Sequence, residues 1–73
     1  MFAIMMRNPL TGKDGYCTGR YFQFNEVMAQ SKKEVRLFPS VKAASVYVET
    51  YLMPSQRAVV IAAKDIDDKI LRA

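Results

Sequence analysis

Residues 38–52 read FPSVKAASVYVETYL. Pro39 disfavours the helical region at Phe38, because a proline ring collides with the backbone that precedes it. Ser40 follows as an N-cap, its hydroxyl placed to accept one of the orphan N–H groups of a first helical turn. From there Val41, Ala44, Val48 and Leu52 recur at helical spacing, with Tyr47 and Tyr51 flanking the stripe. Lys42, Ser45 and Glu49 fall on the opposite side. The segment ends before Pro54, which has no N–H to continue the ladder. A helix over Val41–Leu52 with one apolar stripe needs a second layer to bury it. The chain on either side has to supply that layer.

Upstream, Phe2, Ile4 and Met6 alternate with Ala3, Met5 and Arg7, the period of a strand. Asn8-Pro9 ends it, and Thr11-Gly12-Lys13-Asp14-Gly15 is turn chemistry, with two glycines available for positive φ. Tyr16–Phe24 resumes as a strand rich in aromatics, so the opening reads as a hairpin with a long polar tip. Asn25–Lys33 fits either more strand or helical turns. Glu34–Phe38 reads as a short strand, with Val35 and Leu37 on one face and Arg36 and Phe38 on the other. Downstream, Ala58–Ala63 (AVVIAA) is apolar on both faces, as a strand in the middle of a sheet is. Asp65 can cap a short C-terminal turn or helix in which Ile66 and Ile70 share a face. The expected class is α+β. A three- or four-stranded, mostly antiparallel sheet carries one helix on one face and leaves its other face open, in a single domain spanning residues 1–73.

At 73 residues the chain holds one small core. A domain of this size buries only about 60% of the surface its unfolded form exposes. Cys17 is the single cysteine and there is no histidine, which excludes an internal disulfide and argues against structural zinc. Packing must therefore supply the stability, and a hydrophobic content of 51% suits that. The longest apolar runs, FAIMM and AVVIAA, are too short to span a bilayer. No basic–apolar–small leader stands at the start, so a reducing cytoplasm and no membrane association are expected. Residues 1–64 hold nine Lys/Arg against four Asp/Glu, and the mildly acidic tail brings the net charge to +4. A basic body favours acidic partners, either nucleic acid or an acidic protein surface.

The Gly-Lys pair in PLTGKDG invites a phosphate-loop reading, which fails on spacing. Such a loop needs an earlier glycine where Arg7 stands and a hydroxyl where Asp14 stands, and it leads into a helix rather than a strand. Cys17 lacks an activating base, so it is expected to be a small buried side chain. Asp65, Asp67 and Asp68 have neither the spread nor the glycine turn of a calcium loop, and they complement a helix dipole together with Arg72. Acid–base catalysis without histidine would need paired carboxylates, and the acids here are scattered. A non-catalytic protein with no cofactor and no metal is expected.

Two binding readings survive. GRYFQF sets aromatics beside cations, the combination that stacks bases and meets phosphates in single-stranded nucleic acids. Its residues would be Lys13, Arg20, Tyr21, Lys32, Lys33 and Arg36, although the second small residue of the RNP1 pattern is missing and Phe22 and Phe24, sharing a face, suit a core. The other reading is protein docking. Methionine adapts to partner surfaces, and a first strand at the edge of the sheet can pair with a linear segment of another protein. Its residues would be Ala3, Met5, Met6, Arg7, Lys13 and Arg20.

In size, basicity and architecture, and in the N-terminal strand MFAIMMR that suits edge docking, the chain resembles the small accessory proteins with which bacteriophages take over a host. Among these it is most similar to regulators that bind host RNA polymerase. The resemblance implies a monomeric α+β protein in the host bacterial cytoplasm that binds polymerase and inhibits initiation or promotes antitermination. The alternative is the nucleic-acid-binding module above.

Overall fold

The computed structural model describes residues 1–8, 11–22 and 25–71, and for residues 21, 22 and 25–27 the backbone alone. Four strands, β1 (Phe2–Arg7), β2 (Asp14–Phe22), β3 (Asn25–Met28) and β4 (Val59–Ala62), form one sheet in the order β3-β2-β1-β4 with every pair antiparallel. The main helix, α1 (Val41–Tyr51), lies between β3 and β4 in sequence, and a short helix, α2 (Asp68–Leu71), follows β4. Single 3-10 turns stand at Lys32–Glu34, Pro54–Gln56 and Ala63–Asp65. The α+β class is thus as the helix and strand patterns indicate.

Local chemistry accounts for the element ends. Ser40 has an extended backbone, and its Oγ accepts a 3.1 Å bond from the Ala43 N–H at the start of α1. At the β1–β2 hairpin the Asn8 N–H donates to the Lys13 carbonyl and the Gly12 N–H to the Asn8 carbonyl, each at 2.8 Å. Gly12 has φ +72, which a turn of this kind asks of glycine. Residues 9, 10, 23 and 24, including Pro9 and the expected extension of β2 to Phe24, lie outside the described residues.

The sheet order corrects two expectations. Met5 pairs with Tyr16 on one side and with Val59 on the other, so β1 is an inner strand and offers no edge for docking. Conversely, Ala58–Ala63 yields β4 at the edge, not the middle. Both runs are apolar on both faces, and that property cannot rank them. It reflects that both sheet faces are covered.

On one face Ile4, Met6 and Cys17 pack with Phe38 and with Ala44 and Tyr47 of α1. Val41 is 51% exposed, so the buried stripe of the helix runs through Ala44 and Tyr47 and is turned away from Val41. The large Tyr47 ring reaches Phe38, centroid to centroid at 5.3 Å, a contact available only with Tyr47 on the buried side. On the other face Ala3 and Tyr16 pack with Ala29, Val35 and Leu71, with Met5, Ile61, Ile66 and Ile70 alongside. The C-terminal segment therefore lies over the face that was expected to stay open. Ile66 and Ile70 share a face, as their spacing suggests, and that face is what they bring to the sheet.

The expected Glu34–Phe38 strand reduces to one bridge between Phe38 and Phe2. The β2–β3 register shifts between Cys17 and Tyr21, and Gly19 in that interval has φ +75. Such a bulge bends a strand. Phe38 takes the vacated place beside Phe2, exchanging N–H···O bonds of 2.9 and 2.8 Å with it. Leu37 is 42% exposed and Val35 is buried, so the two do not share a face.

Candidate functional site

The residues proposed for docking on the first strand separate in the structure. Ala3 and Met6 are buried, Met5 and Arg7 are half-buried, and Lys13 and Arg20 are exposed. A partner cannot reach Ala3 or Met6 without opening the core, which removes both from any docking surface. The Arg7 Nε is buried and has no hydrogen-bond partner among the described residues.

The cations proposed for nucleic acid are partly engaged elsewhere. Arg20 lies 3.9 Å from Glu34, and Lys32 lies 3.8 Å from Asp68. The Arg36 guanidinium stands over both the Phe38 and the Tyr47 rings, its central carbon 5.3 Å from each centroid. Its stem passes so close to Gly19 that an added Cβ there would meet it at 2.8 Å. Arg36 is thus a lid on the aromatic end of the core, held by cation–π attraction. Lys33 is exposed, and the Tyr21 side chain lies outside the described residues.

Cys17 is fully buried at the centre of the α1-side core. Among the acids, Asp67 Oδ1 accepts a 2.8 Å bond from the Lys69 N–H and so serves the cap role expected of Asp65. No group of three or more metal-ligating side chains comes together among the described residues. No helix among them is long and apolar enough to cross a membrane.

The edges of the sheet are β3, whose residues 25–27 are described in backbone alone, and β4. The Ala63 N–H donates to the Met1 carbonyl at 2.9 Å, and the Phe2 N–H points the other way, to Phe38. In an antiparallel ladder bonding residues alternate, so Ala3–Ile61 and Met5–Val59 are the pairs that exchange bonds across β1 and β4. Val60 and Ala62 consequently aim their N–H and carbonyl groups away from β1, along the open side of the sheet. Strand β4 carries no charge, no proline and no bulge, and its four residues keep the edge short. Val59 is 49% exposed.

Beside the start of β4 lies an open groove of about 440 Å³, lined by Val48, Leu52, Met53, Pro54 and Ala58 with the charged Glu49 and Arg57. Gln56 ties the adjacent 3-10 turn to β1. The buried amide accepts a 2.7 Å bond from the Met53 N–H and donates to Met6 Sδ at 3.9 Å. Sequence periodicity missed this site because it reports which faces are apolar, not which strand ends the sheet. The missed signal was FAIMM itself, a run as continuously apolar as AVVIAA and an equal claimant to the inner position. No family model matches this chain, and no curated protein and no solved structure matches it.

Proposed function

We propose that the chain is a non-catalytic binding protein that docks on a host protein through the open edge of β4, with bacterial RNA polymerase as that partner. The observation that carries the docking mode is a short uncharged edge with outward main-chain groups at Val60 and Ala62, beside the groove lined by Met53, Pro54 and Ala58. An extended partner segment gains main-chain hydrogen bonds from such an edge, and an adjacent groove receives one of its side chains. The excess of Lys/Arg over residues 1–64 speeds encounter with an acidic surface. The choice of polymerase rests on the resemblance to phage regulators, and the outcome would be inhibited initiation or antitermination in the host cytoplasm.

The test is retention of purified, nuclease-treated bacterial RNA polymerase on the immobilised protein. Wild type should retain it, and Val59→Glu should not, because a carboxylate at the edge must be desolvated by the partner. Circular dichroism should show the variant folded, since Val59 is half exposed. Equal retention by wild type and Val59→Glu would rule out the edge. Retention of single-stranded RNA or DNA with a steep salt slope, and of no polymerase, would favour the nucleic-acid reading.

A further inference from the structure

Where the described backbone takes a positive φ, the residue is glycine at Gly12 and Gly19 and arginine at Arg57. Arg57 has φ 47 and ψ 49, the one non-glycine residue held in that region among the described residues. A left-handed backbone costs an L-residue stability that glycine does not lose, so an arginine kept there points to work done by its side chain. Arg57 is exposed and lines the groove beside β4. We propose that Arg57 selects the segment this groove receives, an extended one carrying an aromatic residue and, two positions away, a carboxylate that pairs with the guanidinium. This rests on the docking mode given above and names the chemistry that the partner segment must carry.

Charge selects the acid. The Arg57 N–H donates to the Pro54 carbonyl at 3.1 Å and so closes the 3-10 turn, but the side chain has no such part in the fold. Ion pairs among the described residues join Arg20 to Glu34 and Lys32 to Asp68, and neither involves Arg57. A guanidinium offers a planar fork of donors that matches the two oxygens of a carboxylate. Glu49 also lines the groove without an ion pair. It repels a second carboxylate, so the acid of the partner belongs at the Arg57 end.

Shape selects the aromatic. The groove, at about 440 Å³, falls within the range of about 300–1,000 Å³ for clefts that enclose a compact ligand, which leaves room for one large side chain. Its wall includes the Pro54 ring and Met53, which is 59% exposed and therefore accessible to a partner. A thioether adapts its shape and makes favourable contacts with aromatic rings. Successive side chains of an extended segment point to opposite faces, so two that enter one groove stand two positions apart. Ala58 leads from the groove straight into β4, so a segment paired along that edge passes over it.

Titration of the full chain with short synthetic peptides, followed by NMR, tests this. The probe is a serine-rich peptide with one phenylalanine and one glutamate two positions apart, made in both orders. Controls replace the glutamate by glutamine or the phenylalanine by alanine. In one order the probe should shift the amides of Arg57 and Ala58 and the Arg57 Nε–H resonance saturably, and each control should bind at least several-fold more weakly. Arg57→Gly should reduce the probe to the affinity of the glutamine control. Its urea midpoint should be no lower than that of wild type, since glycine takes φ 47 without strain. Arg57→Lys should fall between the two, keeping the charge but not the fork. Equal binding of the glutamate and glutamine peptides, or no saturable shift in either order, overturns the proposal. So does a lowered midpoint in Arg57→Gly, which would show that the side chain serves the fold. The docking mode itself fails separately. Polymerase retained by wild type and Arg57→Gly alike, but lost in Val59→Glu, would keep the edge and reject this role for Arg57. Peptide discrimination without polymerase retention would support the role and reject polymerase as the partner.

Discussion

The hydroxyl of Tyr16 accepts a 2.8 Å hydrogen bond from the backbone N–H of Asp67, joining the second strand to the C-terminal segment. Tyr16 is almost wholly buried, and its ring fills the sheet face that Ile66, Ile70 and Leu71 cover. One side chain thus serves both as core and as anchor for the tail. The Lys32–Asp68 ion pair lies nearby but is exposed on both sides, so it adds little.

Tyr16→Phe keeps the ring and removes the acceptor. The expected cost is about 1 kcal/mol, the usual net value of one intramolecular hydrogen bond. Hydrogen exchange should quicken at the amides of residues 66–71 more than at those of β1. Uniform acceleration across the domain would show that the tail is not separately anchored.

Gly19→Ala should destabilise by roughly 1–2 kcal/mol, from the left-handed backbone alone. The φ of +75 strains any L-residue, and the new methyl would meet the Arg36 stem at 2.8 Å. Arg36→Ala in the same background should relieve the clash but not the backbone strain. The double-mutant cycle, read from urea midpoints, separates the two, and a cycle that closes to zero would rule out the contact.

Ile4→Ala should cost about 2–5 kcal/mol, as full truncation in a packed core does. Ile61→Ala and Val48→Ala should cost clearly less, since both residues are only partly buried at the margins of their clusters. A middle strand at Ala58–Ala63 and a buried helix stripe through Val48 would instead make the three costs comparable. Denaturant midpoints for the three variants decide between the two outcomes.

The tip of the β1–β2 hairpin should not bind nucleotides. Gly12 and Lys13 are held by bonds to Asn8 and Thr11 and lead directly into β2. Amide shifts of Gly12 and Gly15 should stay unchanged on adding Mg-ATP or Mg-GTP. A saturable shift at micromolar nucleotide would contradict this.

Helix α1 was legible because its signals are local: Pro39, Ser40 and the spacing of Ala44 and Val48 act within a few residues of one another. The hairpin tip was legible for the same reason. Strand order was not, because the position of β1 between β2 and β4 depends on contacts between residues far apart in sequence. The rotation of the helix stripe towards Tyr47 was hidden too, since it follows from the place of Phe38 beside Phe2. Gly19 announced a bend only once its positive φ and the Arg36 stem were seen together. Of the docking residues assigned to the first strand, Ala3 and Met6 are buried and Met5 and Arg7 half-buried, and the inner position of β1 removes the edge they were to offer. The cations Lys13 and Arg20 are exposed.

The inner position of β1 also sets the order in which the domain can assemble. Strands β1, β2 and β3 follow one another as a meander, so their pairing closes only short loops. The pairing of Ala3 with Ile61 closes nearly the whole chain, and its entropic cost grows with the logarithm of that loop. On a ribosome the first strand made must wait, with one side unpaired, for the last strand made. A nascent chain that ends before Ala62 leaves the backbone of Ala3 and Met5 without the partners of β4. Completion of the sheet therefore rests on a pairing distant in sequence, the kind that slows folding.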